Sequence, residues 1–347
     1  MKAAILRNDR EIAIEDVPVP RPGDDQVLIR VHWASICGTD LHIYLGEFRD
    51  RVEYPRILGH EFSGVVESVG ERVYTVKKGD KVVVDPIIWC NQCPACLNGQ
   101  NNVCSNLRLI GIETDGAFAE YTIADANKVF KVPEAVSLRD AALAELYSLG
   151  VHSARRAAVE PGDLVVILGA GRLGLSVLEV IKQTAAAWVC SIDIMDNRLE
   201  IAGKIGADLT INARKKDPVQ EILSLTGGMG VDRVIETVGT AEEIQNRELP
   251  VAQAVRVTRS RGRIVVMGLG SQSTPVFWKE FVLKEIQLVG SRVTLGDFPR
   301  ALSLMSRGIF HPDLLISKEC RLDDTGEAFQ LLEEKPDRYL KVLIRVI

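Results

Sequence analysis

The run CNQCPACLNGQNNVC places Cys90, Cys93, Cys96 and Cys104 within one short stretch, and nothing else in the chain restricts its fold as strongly. Two, two and seven residues intervene between successive cysteines, spacings that let a tight loop wrap four thiolates around one tetrahedral ion. Four sulfur ligands leave no open position. A zinc ion held this way is structural, stabilising a loop that has too few apolar residues to form its own core. Closely spaced cysteines also hold iron–sulfur clusters, and a group of free thiols is the plainest alternative. The chain has 7 cysteines; crowding four of them together favours metal ligation over a disulfide framework.

Length and texture organise the rest. A chain of 347 residues exceeds the size at which one core usually stops growing, so two domains are expected. Up to about residue 130, short β-branched runs broken by Gly, Pro and Asp (Val27 to His32, Gly64 to Val69, Lys81 to Asp85) read as an all-β domain with long loops. Ser137 and Asp140 then form a capping box opening a helix through AALAELYSLGVHSARRAA, the expected hinge between domains. From Asp163 the pattern becomes strand, helix, strand: LVVILG, RLGLSVLEVIKQT, WVCSID, NRLEIAGKIGAD, with DRVIETVG and RIVVMGLG as further strands. Apolar runs without alternation, separated by helices, indicate parallel strands buried on both faces. After about Leu288 the elements shorten, and the closing strand KVLIRVI is expected to return to the first sheet.

Within the second half, GAGRLG (Gly169, Gly171, Arg172, Leu173, Gly174) lies between the strand LVVIL and a helix. Glycines there permit a tight turn, close approach of a pyrophosphate to the backbone, and contact between helix and sheet. Asp193 ends the next strand, at the distance that lets an acidic residue bond ribose hydroxyls and repel a 2′-phosphate, which favours NAD over NADP. Thr237 to Gly239 and Gly268 to Gly270 follow predicted strands and are candidate nicotinamide neighbours or simple turns. In the first half, SICGTDLH supplies Cys37 and LGHEFSGVV supplies His60 and Glu61. A thiolate, an imidazole and a carboxylate suit a catalytic zinc, although each of these residues is common in buried strands.

ICGTDLHIY, LGHEFSGVVESVG, the four-cysteine loop and ILGAGRLGL stand in the order that resembles the zinc-containing medium-chain dehydrogenases, over essentially the whole chain. That resemblance implies an α/β protein: a GroES-like β domain (residues 1–148 and 290–347) joined to a Rossmann domain with a doubly wound parallel sheet (residues 149–289). It implies that Cys37, His60 and Glu61 hold or approach a catalytic zinc, so that each chain carries two zinc ions. Glu145 falls where simple alcohol dehydrogenases place a second cysteine and sorbitol-type enzymes a glutamate; it either touches the ion or holds a bound water. The sorbitol-type proline after that glutamate is replaced by Leu146. By the same resemblance Thr39 and His42 match a relay that passes the substrate proton outward, and Asp40 matches a carboxylate that orients a zinc-bound histidine. Turn chemistry is the plain reading of Thr39 and Asp40, and a loop position that of His42. Arg198 matches an arginine near the adenosine, and otherwise is a helix-surface charge paired with Glu200 or Asp196.

The expected activity is oxidation of a secondary hydroxyl of a small-molecule polyol, sugar alcohol or related alcohol, with NAD as hydride acceptor. L-Threonine 3-dehydrogenase is the alternative within the family, because CGTDLHIY resembles its motif. A zinc-stabilised nucleotide or redox sensor is the non-enzyme alternative, and it predicts a missing ligand. A zinc-free quinone reductase would lack both cysteine elements. Loops Tyr44 to Arg51 and Ser291 to Phe298 are expected to shape the substrate pocket, and the resemblance implies a homodimer or homotetramer. A net charge of −5 argues against broad nucleic-acid binding, and the basic stretch Arg256 to Arg263 is expected on a solvated helix end. No apolar run approaches the roughly 20 residues of a membrane helix, and the start MKAAILRNDREIAIEDV does not resemble a signal peptide. A cytoplasmic location is therefore expected. Pro250, in RELPVAQAV, is read as breaking a helix.

Overall fold

The computed structural model describes residues 1–239, 248–270 and 273–347. The chain divides into two compact units: Met1–Ser148 with Leu295–Ile347, and Leu149–Thr294. The second unit thus continues past residue 289, because Gln287–Gly290 is still a strand of its parallel sheet.

The first unit is built on a seven-stranded, mainly antiparallel sheet. Its long central strand Gln26–Ser35 pairs with Glu61–Val69 on one side, and with Tyr121–Asp125 and the closing strand Lys341–Arg345 on the other. The expected return of the C-terminus to the first sheet is therefore observed. Alternation explains the strand: Val27, Ile29 and Val31 are fully buried, whereas Arg30 is not, the period-two pattern of a sheet with one face on the core. Ser137 caps a short helix, Leu138–Ala141, by accepting the Asp140 amide N–H at 3.0 Å. The predicted continuous helix is interrupted at residues 142–143, and a second helix, Ala144–Ala157, carries Glu145 in its first turn.

The second unit is a six-stranded parallel sheet in the order Leu209–Asn212, Trp188–Asp193, Leu164–Leu168, Val231–Glu236, Thr258–Val266, Gln287–Gly290. This is the doubly wound order whose direction reverses between the first and fourth strands in sequence, where a ligand crevice opens at the carboxyl edge. Val165, Val166, Ile167, Val234, Ile235, Ile264 and Val265 are all fully buried, as strands covered on both faces require.

Two expectations fail here. The basic stretch is not a helix end: only Arg256 lies on the helix Pro250–Val257, and Thr258 to Arg263 belong to a strand. The β-branched residues Val257, Thr258, Ile264, Val265 and Val266 that flank the arginines favour strand over helix. Pro250 opens that helix as its first residue rather than breaking it; its missing N–H is one that a helix start leaves unpaired in any case.

Candidate metal centres and dinucleotide site

Cys37, His60 and Glu61 offer donor atoms that all lie within 4.8 Å of one another. The central strand ends at Ser35, Cys37 caps the helix Gly38–Tyr44, and His60 and Glu61 stand at the start of the neighbouring strand. Tetrahedral zinc with bonds of about 2.0–2.3 Å places its ligands about 3.3–3.8 Å apart, so the trio fits an ion after small side-chain adjustments. Asp40 is fully buried and ties the site together. Its carboxylate accepts the Cys37 N–H at 2.8 Å and the Gly59 N–H at 3.3 Å, and approaches His60 Nδ1 at 3.3 Å. That leaves His60 Nε2 as the nitrogen available to a metal. Burial disfavours the His60 imidazolium, but the Asp40 carboxylate and the Cys37 sulfur outweigh it and push the group well above its ordinary value. A positive charge is therefore favoured where these residues converge.

Glu61 is committed on one side and free on the other. Its Oε2 accepts hydrogen bonds from Lys341 Nζ and Ser35 Oγ, and Lys341 is itself fully buried. Burial raises the Glu61 carboxyl, but Lys341 and His60 more than offset this and hold it low. Glu61 Oε1 and Glu145 Oε2 are buried without a hydrogen-bond partner. Orphaned buried carboxylate oxygens are rare unless an ion or water completes them. Glu145 stands outside the close trio, yet Glu61 and His60 act on its carboxyl electrostatically; burial first, then the Glu61 charge, pushes it up to about 8.

Thr39 and His42 lie three residues apart on the helix Gly38–Tyr44, hence on one face. Thr39 Oγ1 is 4.0 Å from Cys37 Sγ. His42 is exposed, and its Nδ1 is 2.7 Å from Glu47 Oε2. This row runs from beside Cys37 to solvent.

At the four-cysteine loop the Sγ atoms likewise all lie within 4.8 Å of one another, with Cys90 and Cys104 at 3.5 Å. Backbone N–H groups point at sulfur: Cys93 N to Cys90 Sγ and Cys90 N to Cys104 Sγ, both 3.4 Å, and Asn106 N to Cys104 Sγ at 3.3 Å. Amide donors from Cys96 and Ser105 hold the Cys93 thiol down to about 5. Donors aimed at sulfur stabilise thiolates, the form a zinc ion binds.

The glycine turn follows the strand Leu164–Leu168 and opens the helix Arg172–Ile181. Gly169 has φ +99°, and a Cβ on Gly174 would lie 1.8 Å from the Gly169 carbonyl oxygen; both positions require glycine. A Cβ on Gly171 meets nothing within 4 Å. The backbone therefore borders open space at the helix start, where the N–H groups of Arg172, Leu173 and Gly174 have no partner earlier in their own helix. Asp193 is nearly buried: its Oδ2 accepts the Ala170 N–H at 2.7 Å, and its Oδ1 accepts those of Ile194 and Met195 at 2.7 and 2.9 Å. Arg198 approaches Asp193 at 3.9 Å, while Glu200 pairs with Lys204 and Asp196 with Lys215. Across the crevice, Thr237 Oγ1 donates to the Leu168 carbonyl at 2.9 Å. The fully buried Glu236 accepts from Val238 and Gly239 at 2.7 and 2.8 Å, fixing the turn after its strand.

Lys341, Ser35, Glu47 and Glu236 escape the sequence reading. Lys341 leaves a trace there, as a cation opening the otherwise apolar run KVLI.

A β unit with two candidate metal-ligand sets, in a chain that also carries a doubly wound dinucleotide unit, is the make-up of a zinc-type oxidoreductase. Residues 23–134 match the family model described as alcohol dehydrogenase GroES-like domain, and residues 173–307 that described as zinc-binding dehydrogenase. The chain belongs to the zinc-containing medium-chain dehydrogenases. It is 35% identical to a sorbitol dehydrogenase of Bacillus subtilis, over 99% of this chain and 97% of that protein. Among solved structures, a zinc-binding dehydrogenase of Sinorhizobium meliloti bound to NADP superposes with a TM-score of 0.91 at 30% identity, covering 99% of this chain and 98% of that one. RspB of Escherichia coli complexed with NADH gives 0.91 at 31% identity, covering 99% of each. Similar proteins thus carry either dinucleotide.

Proposed function

We propose that the protein reversibly oxidises a secondary hydroxyl of a polyol, sugar alcohol or related alcohol to a ketone, with NAD accepting the hydride and two zinc ions per chain. The observation that carries this reading is the buried trio Cys37, His60 and Glu61 with Glu145 beside it, two carboxylate oxygens of which have no protein partner. Zinc held there supplies Lewis acidity that lowers the pKa of a hydroxyl. A carboxylate in place of a second thiolate makes the environment harder, which favours the polyol branch over simple alcohols.

The residues divide the remaining work. Asp40 fixes the His60 ring, and Lys341 holds Glu61 in place. The Thr39 hydroxyl would take the substrate proton while giving up its own through the cofactor ribose to His42, which would release it to solvent, with Glu47 orienting the His42 ring. Gly171, Arg172, Leu173 and Gly174 cradle the pyrophosphate with backbone N–H groups. Asp193 disfavours a 2′-phosphate by its charge, and this supports NAD over NADP; Arg198 tempers that preference.

The protein self-associates as a homodimer or homotetramer. Support comes from the edge strand Gln287–Gly290, where Leu288 is exposed, and from exposed Phe277, Trp278, Val282 and Leu283 nearby in sequence. Edges and apolar surface of this kind are normally covered.

The test is NADH formation against polyols, L-threonine, diols and simple alcohols, together with zinc content per chain. Oxidation of polyols with two zinc ions supports the reading. L-Threonine as the one good substrate makes the threonine reading correct, and two zincs with dinucleotide binding but no oxidised alcohol supports a sensor.

A further inference from the structure

The dinucleotide unit has a second concave feature, at the opposite edge of its sheet from the glycine turn. A cavity of about 460 Å³ is lined by Arg233, Arg259, Arg261 and Arg263, with Ala158, Glu160 and Gln287. Arg233, Arg263 and Gln287 are in-register partners on three adjacent strands, so they project from one face. Two like charges directly opposite each other on neighbouring strands are destabilising, and here they are part of a group of four guanidinium ions facing one lining carboxylate.

Among the described residues four carboxylates accompany the four guanidinium groups, but they are unevenly shared and leave Arg263 without one. Arg233, which is 8% exposed, meets Asp163 at 3.1 Å and Glu160 at 3.9 Å. Arg259 pairs with Asp232 through Nε, and Arg261 with Glu285 at 3.6 Å, also through Nε. Arg263 has no carboxylate partner among the described residues; it donates to Gln287 Oε1 at 2.9 and 2.6 Å and to the Arg156 carbonyl at 3.1 Å. Neutral oxygens satisfy its N–H groups without cancelling its charge.

Backbone strain gathers at the same place. Ala158 (φ +48°) and Arg261 (φ +60°) both line the cavity, and Glu285 (φ +48°), the partner of Arg261, makes a third left-handed non-glycine residue. Such conformations persist where the surrounding structure over-determines them, often at ligand clamps.

We propose that this cavity is a second anion site, taking phosphate either free or as the monoester of a small metabolite. Guanidinium forks match phosphate oxygens in geometry and charge, and the volume suits a small ester. The site is separate from the dinucleotide crevice, because Arg233 lies in the first half of the strand Val231–Glu236 and Thr237 just beyond its far end, about 13 Å away at the usual rise. It does not rest on the dehydrogenase reading.

The test is calorimetric titration of the full-length, zinc-loaded protein, saturated with NADH to fill the glycine turn, at constant ionic strength set with KCl. The titrants are inorganic phosphate and ribose 5-phosphate. Saturable one-to-one binding is expected, weakened about tenfold or more in R263Q and in R261G, with NADH affinity unchanged. R261G is also expected to raise the melting temperature, since glycine adopts the left-handed backbone freely; affinity and stability then move in opposite directions, which loss of folding does not produce. Tighter binding of the ester than of inorganic phosphate assigns the site to a metabolite, and the reverse assigns it to the free ion. Absence of saturable binding, or equal affinity in wild type and both variants, overturns the proposal.

Discussion

Lys341 and Glu145, both buried, govern stability through different perturbations. Lys341 and Glu61 form an ion pair with almost no solvent exposure. Truncating one partner of such a pair leaves the other charge uncompensated, at a cost of about 3–5 kcal/mol, so K341M is expected to lose stability on that order in urea unfolding. Glu145 makes stability depend on pH. Its carboxyl, pushed up to about 8 by burial and by Glu61, binds a proton in the folded state that the unfolded chain has released above its ordinary carboxylate pKa of about 4.3. The stability this gives is full below that ordinary value and is lost as pH rises through about 8. After a mild chelator has removed the exchangeable ion, wild-type stability should fall by up to about 1.4 kcal/mol per pH unit between pH 5 and 8. E145Q should lack that slope, as measured by urea midpoints across the range. Cys37, His60 and Glu61 are legible in the sequence as candidate ligands because zinc chemistry restricts ligands to few residue types. Lys341 is not legible as their neighbour, because 280 residues separate it from Glu61 and its approach depends on how the closing strand registers against the central one.

The strand–turn–helix unit around Gly169 shows what a motif predicts and what it leaves out. All three glycines are legible as a group, but only the structure assigns them different duties. G174A puts a methyl group 1.8 Å from the Gly169 carbonyl oxygen, a backbone atom that cannot swing aside, and is expected to destabilise the unit by more than about 2 kcal/mol. G171A adds its methyl to open space with φ at −72°, so folding should be preserved. NADH affinity, followed by fluorescence titration, should nonetheless fall about tenfold, because the added group occupies the approach of the pyrophosphate. An unchanged affinity in G171A would remove the cofactor assignment from this turn. At the same scale, the basic stretch shows why local charge misleads. Arg256 to Arg263 is a mainly basic and polar run in sequence, yet the sheet recruits Thr258 to Arg263, because pairing with Val231–Glu236 and Gln287–Gly290 outweighs local composition. Helix interruption at residues 142–143 is likewise set by tertiary context, since Ala142 and Leu143 are good helix formers.

For the whole molecule, the sequence reveals the alternation of a β unit and a doubly wound unit through periodicity, and the order of motifs fixes which unit precedes which. Surfaces are harder to read, because an apolar residue in sequence does not declare whether a neighbour covers it. Leu288 is an apolar residue of the segment QLVG, and in the fold it sits 40% exposed on the last strand of the sheet. If a second copy covers that edge, placing a charge there should separate the copies while leaving the monomer folded, since charged residues on an edge strand block pairing without entering the core. L288K combined with V282E is expected to lower the mass measured by light scattering to that of one 38.2 kDa chain, with zinc content and NADH binding retained. If wild type already elutes at that mass, the proposed self-association is wrong. If the double variant stays oligomeric, the copies meet through another surface, and the exposed edge is protected by its short four-residue length instead of by a partner.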